Sequence, residues 1–179
     1  MKAKFITLSA LALLLLAGCG QILGQSAAPQ DAQAGSSEQM FAEMMIPHHE
    51  QALEMSELAP SRTDNPEVLA IAEKIRSGQE PEILLMQGWL DGHGGHSDHA
   101  GHTMDGMLTE AQLAELSAAT GTEFEKLFLE GMIQHHEGAL AMLSMIEDSK
   151  FPEAIELKKQ IETAQKAEIA QMKELLSRY

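Results

Sequence analysis

The sequence predicts an all-α fold, in which four substantial helices form an antiparallel up-down bundle. Aromatic residues make up only 4% of the 179 residues, whereas methionine alone supplies 12, a composition typical of helices rather than sheets. Apolar residues recur at helical spacing, and one segment of the chain occurs twice. We therefore expect a single domain made of two duplicated helical hairpins.

The N-terminus has the order of a bacterial lipoprotein signal peptide over residues 1–18. Lys2 and Lys4 precede an apolar run over 8–16 that is too short to span a membrane. The stretch Leu-Ala-Gly-Cys ending at Cys19 resembles a lipobox, which implies cleavage and lipidation of that cysteine. The alternative is an ordinary signal peptide with an incidental cysteine. A lipidated Cys19 leaves the protein without a thiol, so any soft metal ligand must be methionine.

The next segment, residues 19–37, is expected to be a flexible tether because it is rich in Gln, Ala, Ser and Gly. The bundle domain is predicted over 38–178. Ser36 with Gln39 three residues later has the form of a capping box, which predicts the start of the first helix. Pro60 is expected to end that helix, because proline lacks the amide proton.

A second helix is predicted to begin at Asn65, which is suited to the N-cap, with Pro66 at the first helical position. It should run to about Leu90. Gly78 and Pro81 lie within it and predict a kink.

The segment 91–107 is too rich in glycine to be regular structure, and it contains four of the eight histidines of the chain. Its candidate metal ligands are His93, His96, His99, His102, Met104 and Met107. His-rich tracts of this kind are typical metal binders. The alternative is a solvated polar loop.

Three further helices are predicted after this loop. A short helix begins at Thr109, where Gln112 completes a capping box, and is stopped by Gly121. A long helix begins at Thr122, with Glu125 as its capping partner, and ends near Asp148. The last helix begins at Phe151-Pro152-Glu153 and ends near Tyr179. The connections between them are short, as in an up-down bundle.

The internal repeat is the most specific signal in the chain. Residues 41–55 recur as residues 128–142, with ten of the fifteen positions identical, and both copies contain Met-x-x-His-His. The second helices match as well, since Gln79, Glu82, Ile83 and Met86 recur as Gln165, Glu168, Ile169 and Met172. Each half is thus predicted to be one hairpin, and the two to be related by an approximate two-fold axis.

Helical spacing predicts that one histidine of each pair points into the core. The inward-facing positions are Met45, His48, Met132 and His135, whereas His49 and His136 lie about 100° away on a flank. Each methionine lies three and four residues before the two imidazoles, within reach of either ring.

The second helices place polar residues where a core stripe would prefer leucine. A buried carboxylate needs a partner, and the expected pairs are His48 with Glu82 and His135 with Glu168, near Met86 and Met172. Without metal, such pairs would simply lock the hairpins together.

Ligand type favours copper. Thioether and imidazole without thiolate suit Cu(I) and Cu(II), whereas zinc would gain little from methionine. The bundle ligands are predicted to be Met45, His48, His49, Met132, His135 and His136, supported by Glu82, Glu168, Met86 and Met172. The Glu-x-x-His signature of di-iron bundles does not occur at either pair, which counts against an oxidase-type centre.

The chain resembles the domain of unknown function 305 family. The residues that carry the resemblance are Phe128-Leu-Glu-Gly-Met132-Ile-Gln-His135-His136-Glu-Gly-Ala139 and Gln165-x-x-Glu168-Ile169-x-x-Met172, and it covers about residues 38 to 176. It implies a ferritin-like helical bundle and an extracytoplasmic copper-binding, copper-tolerance role that uses Met45, His48, His49, Met132, His135 and His136. Pro81 and the extended histidine loop depart from the family pattern.

The predicted function is therefore copper sequestration, tolerance or transfer by an extracytoplasmic lipoprotein, without catalysis. The formal net charge of −15 makes nucleic acid an unsuitable partner. The expected partners are metal ions and, through Cys19, a membrane; self-association and a copper-transfer partner stay open. The alternatives are a metal-dependent oxidoreductase of ferritin-like type and a metal-free structural lipoprotein.

Overall fold

The computed structural model describes residues 34–91 and 104–179, and these confirm the all-α prediction. The helices are α1 (Ser36–Arg62), α2 (Pro66–Leu90), α3 (Glu110–Ala118), α4 (Gly121–Met142) and α5 (Pro152–Leu176), with a 3₁₀ turn at Leu143–Ile146. Within the described ranges there is no strand. The signal peptide, most of the tether with Cys19, and His93, His96, His99 and His102 lie outside the described residues.

The long helices pack as two hairpins placed side by side. Helix α1 lies against α2, and α4 lies against α5; the hairpins meet where α1 contacts α4 and α2 contacts α5. The short helix α3 rests on α1 and α4. None of the helices described here is long and apolar enough to cross a membrane.

Three of the predicted helix starts are confirmed. The Asn65 side chain caps α2 by accepting a hydrogen bond from the Glu67 amide at 3.0 Å, with Pro66 at the first turn. Thr109 and Gln112 form the predicted capping box of α3. Phe151 precedes α5 as its N-cap.

Other boundaries differ from prediction. The N-cap of α1 is Gly35 and not Ser36, and the N-cap of α4 is Thr120 and not Thr122. Pro60 does not end α1, which continues to Arg62; a proline in the last turn removes only one hydrogen bond. Helix α4 ends at Met142, well before Asp148, and passes into the 3₁₀ turn. Helix α2 is continuous through Gly78 and Pro81.

The core has two apolar clusters, one towards each end of the bundle. The Phe124 cluster includes Met55, Ile71, Ile75, Phe124, Phe128, Met132 and Met172. The Trp89 cluster includes Phe41, Met45, Met86, Trp89, Met142, Leu157 and Ile161. On every long helix, polar residues separate the members of one cluster from those of the other. The polar level lies in the middle of the bundle.

Two buried glutamates connect the hairpins near the ends of the bundle, and we call these contacts the end staples. In one, Glu38 of α1 accepts a hydrogen bond from Ser149, just before α5. In the other, Glu125 of α4 accepts hydrogen bonds from Thr63, Asn65 and Tyr179, with the Tyr179 hydroxyl at 2.6 Å. The repeat relates the two staples, because Glu125 corresponds to Glu38 and Ser149 to Thr63.

Glu125 was predicted to cap its own helix, but it contacts the opposite hairpin. Although burial favours the protonated acid, the hydrogen bonds from Thr63, Tyr179 and Asn65 hold the pKa of Glu125 below its ordinary value. Burial and the contact with Glu125 raise the pKa of Tyr179 to about 12. Each staple therefore fixes one hairpin to the other through a satisfied carboxylate.

Candidate metal centre

The middle of the core is a buried polar layer to which all four long helices contribute. We use this name for His48 and His49 of α1, Gln79 and Glu82 of α2, His135 and His136 of α4, and Gln165 and Glu168 of α5. All four imidazoles are 0% exposed. Histidine is rarely buried so completely unless its ring nitrogens are used. The partners of those nitrogens therefore decide what the layer does.

Each outer histidine contacts a glutamate of its own hairpin. His49 Nε2 lies 2.8 Å from Glu82 Oε2, and His136 Nε2 lies 2.8 Å from Glu168 Oε2. The second glutamate also faces Lys74 of α2, whose Nζ lies 3.6 Å from Glu168 Oε1.

The predicted pairs, His48 with Glu82 and His135 with Glu168, are therefore wrong by one residue. The reason is that α1 packs against both α2 and α4, so its buried face is wider than one stripe. His49 and His136 lie on the face of their helix that packs against the second helix of the same hairpin, which is α2 for His49 and α5 for His136.

The inner histidines meet across the contact between α1 and α4. The ring centroids of His48 and His135 are 3.8 Å apart, with the planes at 41°. Burial, together with the neighbouring imidazole of His49, lowers the pKa of His48 to about 3. Burial and the ring of His48 also lower the pKa of His135 well below its ordinary value. Both inner rings are uncharged at neutral pH, so they can offer lone pairs.

Hydrogen bonding assigns the tautomer of three of the four rings. His48 Nε2 donates to the Asp105 carbonyl oxygen at 3.3 Å, since a carbonyl can only accept. A carboxylate likewise accepts from Nε2 of His49 and of His136. A neutral ring whose Nε2 donates carries its lone pair on Nδ1, as His48 does.

These Nδ1 atoms are buried and have no hydrogen-bond partner within residues 34–91 and 104–179, and neither ring nitrogen of His135 has one there. An imidazole held through one nitrogen by a carboxylate or a carbonyl, with its other nitrogen free, is the arrangement that metal-ligating histidines adopt. The layer thus presents a set of unpaired imidazole donors.

Methionines border the layer on both sides. Met45 and Met86 belong to the Trp89 cluster, and Met132 and Met172 belong to the Phe124 cluster. All four are 0% exposed. Met45 and Met132 lie one helical turn before the histidines, so their thioethers lie on the same face as the inner rings. The prediction that methionine accompanies both histidine pairs in the core is thus consistent with the fold.

The described end of the histidine loop is fastened directly beside the inner histidines. Gln51 of α1 clamps Leu108: its Nε2 donates to the Leu108 carbonyl at 3.0 Å, and its Oε1 accepts from the Leu108 amide at 2.7 Å. Gly106, at φ +90, lies so close to Gly138 of α4 that a side chain on either glycine would overlap the other segment. Gln51 and Gly138 are equivalent positions of the repeat, and both face the loop.

Two predicted loop ligands lie in the described part of this segment. Met104 is half-buried and packs against the Trp89 cluster, and Met107 is half-buried as well. No contact between described residues places either methionine beside a histidine of the layer. Whether they act with His93, His96, His99 and His102 stays a prediction.

The described residues contain no ready-made group of three or more His, Cys, Asp or Glu side chains arranged to hold a metal ion. Binding in the layer would therefore draw on thioethers as well as imidazoles, or on a rearrangement of the rings. The fit of the layer to a metal rests on the chemistry of its donors, which are buried imidazoles with unpaired Nδ1 atoms and nearby sulfur.

Two residues of the layer were not selected as ligands from the sequence. Gln79 and Gln165 are 4% and 2% exposed. In the part of the chain that the structure describes, neither the amide oxygen nor the amide nitrogen of either side chain has a hydrogen-bond partner. Their recurrence in the repeat was visible in the sequence, but their lack of partners depends on the packing of α2 and α5. The glutamates of the end staples were missed for the same reason.

Comparison with known proteins places the chain among similar helical proteins. A family model described as Domain of unknown function (DUF305) matches residues 38–176. A DUF305 fragment from Deinococcus radiodurans is 32% identical with a TM-score of 0.73, over 83% of this chain and 100% of that one. A DUF305 protein from Streptomyces coelicolor, described as secreted, is 33% identical with a TM-score of 0.71, over 80% and 93%.

Solved structures of a protein called CopM are also similar. Its Cu(II)-bound form is 33% identical with a TM-score of 0.68, over 79% of this chain and 96% of that one. Cu(I)-bound, silver-bound and apo forms of CopM match as well. A search of curated proteins finds no match.

Proposed function

We propose that this chain, which belongs to the domain of unknown function 305 family, is an extracytoplasmic copper-binding protein whose main site is the polar layer. The observation that carries the proposal is the set of fully buried imidazoles with unpaired Nδ1 atoms. CopM, which is similar over most of the chain, has been crystallised with Cu(I) and Cu(II). Copper accepts both imidazole and thioether ligands, and the layer and its borders offer both.

The residues that would hold copper are the four histidines and the two methionines one turn before them. His48 and His135 supply neutral rings at the centre, and His49 and His136 supply rings from the two sides. Met45 and Met132 supply the thioethers that stabilise Cu(I). Binding withdraws the ion from water and from reductants, which suits sequestration, tolerance or transfer.

Glu82 and Glu168 orient the outer rings. Each accepts a hydrogen bond from Nε2, which fixes the tautomer and raises the basicity of Nδ1. Lys74 near Glu168 gives the hairpin of α4 and α5 an electrostatic environment that differs from that of the hairpin of α1 and α2. The two glutamates would thus support the ligands through these hydrogen bonds.

The protein is also proposed to be anchored outside the cytoplasm by a lipid and to form an up-down bundle. The signal peptide and the lipobox at Cys19 support a lipid anchor on the outer side of a membrane, and the secreted relative supports an extracytoplasmic site. The side-by-side packing of the two hairpins supports an up-down bundle of ferritin-like type. The proposal assigns binding and transfer of copper, and no reaction, to this protein.

The test is to measure copper affinity and content after anaerobic Cu(I) and aerobic Cu(II) loading. Two layer variants, His48→Ala/His135→Ala and His49→Ala/His136→Ala, are compared with a loop variant in which His93, His96, His99 and His102 are all serine. We expect each layer variant to lose at least about 100-fold in Cu(I) affinity, more than the loss from an outer-shell residue. The loop variant should keep most of its copper.

Copper that is lost only from the loop variant would make the layer structural and the site assignment wrong. Wild-type protein that retains neither ion, and melts at the same temperature with and without them, would favour a metal-free structural role. Circular dichroism of each apo variant serves as the folding control.

A further inference from the structure

We infer that Gln79 and Gln165 are oxygen ligands that adapt the polar layer to Cu(II), an inference that rests on the copper-binding function proposed above. The two residues are equivalent in the repeat. Each has a buried side-chain amide that forms no hydrogen bond with the described residues. Both occupy the level of the bundle where the four imidazoles lie.

The positions of the two glutamines place them in the layer. Gln79 lies one turn after Ile75 of the Phe124 cluster and two turns before Met86 of the Trp89 cluster. It precedes Glu82, which contacts His49, by three residues, so the two side chains lie on the same face of α2. Gln165 is placed in the same way on α5, between Ile161 and Met172 and three residues before Glu168.

Energetics argue against a purely structural role. A buried polar group without a partner costs about 1–3 kcal/mol relative to a satisfied one. All four amide atoms of Gln79 and Gln165 lack a partner in the described ranges. A leucine or methionine at these positions would continue the apolar stripe at no such cost. Unsatisfied groups of this kind are expected where an ion or water completes the site.

The chemistry of the amide selects the oxidation state. Thioether sulfur favours Cu(I), whereas Cu(II) prefers nitrogen and oxygen donors, and the amide oxygen of glutamine can replace an axial methionine at a copper site. The layer thus combines sulfur for one oxidation state with oxygen for the other. An extracytoplasmic protein that encounters both ions would use both sets of donors.

The experiment compares Gln79→Met/Gln165→Met with wild-type protein. Methionine keeps the length and the unbranched shape of glutamine but replaces the amide with a thioether. The matched control is Gln87→Met/Gln171→Met, because these two glutamines lie on α2 and α5 but are exposed. Cu(II) affinity is measured aerobically by competition, Cu(I) affinity anaerobically, the Cu(II) ligand set by electron paramagnetic resonance, and apo stability by thermal melting.

We expect the layer variant to bind Cu(II) about tenfold more weakly or worse, with an altered Cu(II) resonance spectrum, an undiminished Cu(I) affinity and a higher apo melting temperature. The control should match wild type throughout. Gln79→Leu/Gln165→Leu, which offers no donor atom, should show the same loss for Cu(II) and provides a second fold-compatible variant.

An unchanged Cu(II) affinity and spectrum in either folded layer variant would overturn the inference, and a lowered apo melting temperature with unchanged affinities would assign the glutamines to structure. The proposed function fails separately, if wild-type protein binds neither ion or if the layer histidine variants keep full Cu(I) affinity. A glutamine variant that loses affinity for Cu(I) as well as for Cu(II) would also contradict a role specific to Cu(II).

Discussion

The polar layer and the end staples are both buried, polar and duplicated, but they differ in how far their polar atoms are satisfied. In the staples, each carboxylate accepts a hydrogen bond from a hydroxyl group of the other hairpin, Ser149 for Glu38 and Thr63 for Glu125. In the layer, the Nδ1 atoms of the four histidines and the side-chain amides of two glutamines have no hydrogen-bond partner among the described residues. One duplication has therefore produced two kinds of buried polar group in the same small bundle.

The difference separates structure from binding. A satisfied buried group specifies how elements pack, whereas an unsatisfied one destabilises the fold unless something else completes it. The staples are hence expected to account for docking of the hairpins, and the layer for ligand binding. Since both regions contain a symmetric pair of glutamates, the same substitution can be made in each.

The largest expected effect comes from that matched pair of variants. Glu82→Gln/Glu168→Gln keeps an acceptor for each outer histidine but removes the charge that makes Nδ1 basic, so Cu(I) affinity should fall about 10- to 100-fold. Glu38→Gln/Glu125→Gln should leave Cu(I) affinity unchanged. It should lower the free energy of unfolding by about 1–3 kcal/mol at each staple, because the amide NH₂ cannot accept from the hydroxyl donors.

Anaerobic competition for Cu(I) and urea unfolding of the apo proteins measure the two quantities. A staple variant that loses copper, or a layer variant that loses only stability, would show that the division between the two regions is wrong.

The pH dependence of apo stability should also separate the regions. His48 stays neutral in the fold down to its pKa of about 3, whereas the ordinary pKa of a histidine in the unfolded chain is 6.5. Between these values the unfolded chain binds more protons, so stability falls as the pH is lowered, by at most about 1.4 kcal/mol per pH unit for each such histidine. The pKa values of Glu38 and Glu125 are lowered from 4.5, so their contribution is lost only below that pH.

Urea unfolding between pH 7 and pH 3 provides the measurement. His48→Gln/His135→Gln should flatten the profile between about pH 6.5 and 4.5 and keep the steeper loss below it. Glu38→Gln/Glu125→Gln should do the reverse. Identical profiles for the two variants would contradict the assignment.

The smallest expected effect concerns Tyr179, the only tyrosine in the chain. Burial and Glu125 raise its pKa to about 12, so phenolate absorbance should appear well above pH 10, and Glu125→Gln should bring it closer to the ordinary value. Tyr179→Phe removes one donor to the staple and should cost about 1 kcal/mol of stability without changing copper affinity. Ordinary titration of Tyr179 in the folded protein would show that this staple does not form.

The sequence predicted those features that depend on local spacing. Helical periodicity placed Met45 and His48 in the core, and the N-cap residue Asn65 marked the start of α2. Both follow from contacts within a few residues, where backbone geometry determines the outcome. The repeat extended the same reasoning to Met132 and His135.

Features that depend on contacts between distant segments were not predictable in this way. Helical spacing alone assigns His49 to a flank, because it defines a single stripe as the buried face of α1. In the fold, α1 packs against two long helices, α2 and α4. The approach of Gly106 to Gly138 joins a loop to a helix more than thirty residues away. Nothing in local spacing indicates that Gln79 lacks a partner or that Glu125 reaches the other hairpin.

The most direct test of whether copper binds in the polar layer is nitrogen-15 NMR of the histidine rings in the apo and the Cu(I)-loaded protein. We predict that His49 and His136 carry a proton on Nε2 in both states and that Cu(I) shifts their Nδ1 resonances together with those of His48 and His135. Shifts confined to His93, His96, His99 and His102, with unchanged layer histidines, would contradict it and place the copper in the loop.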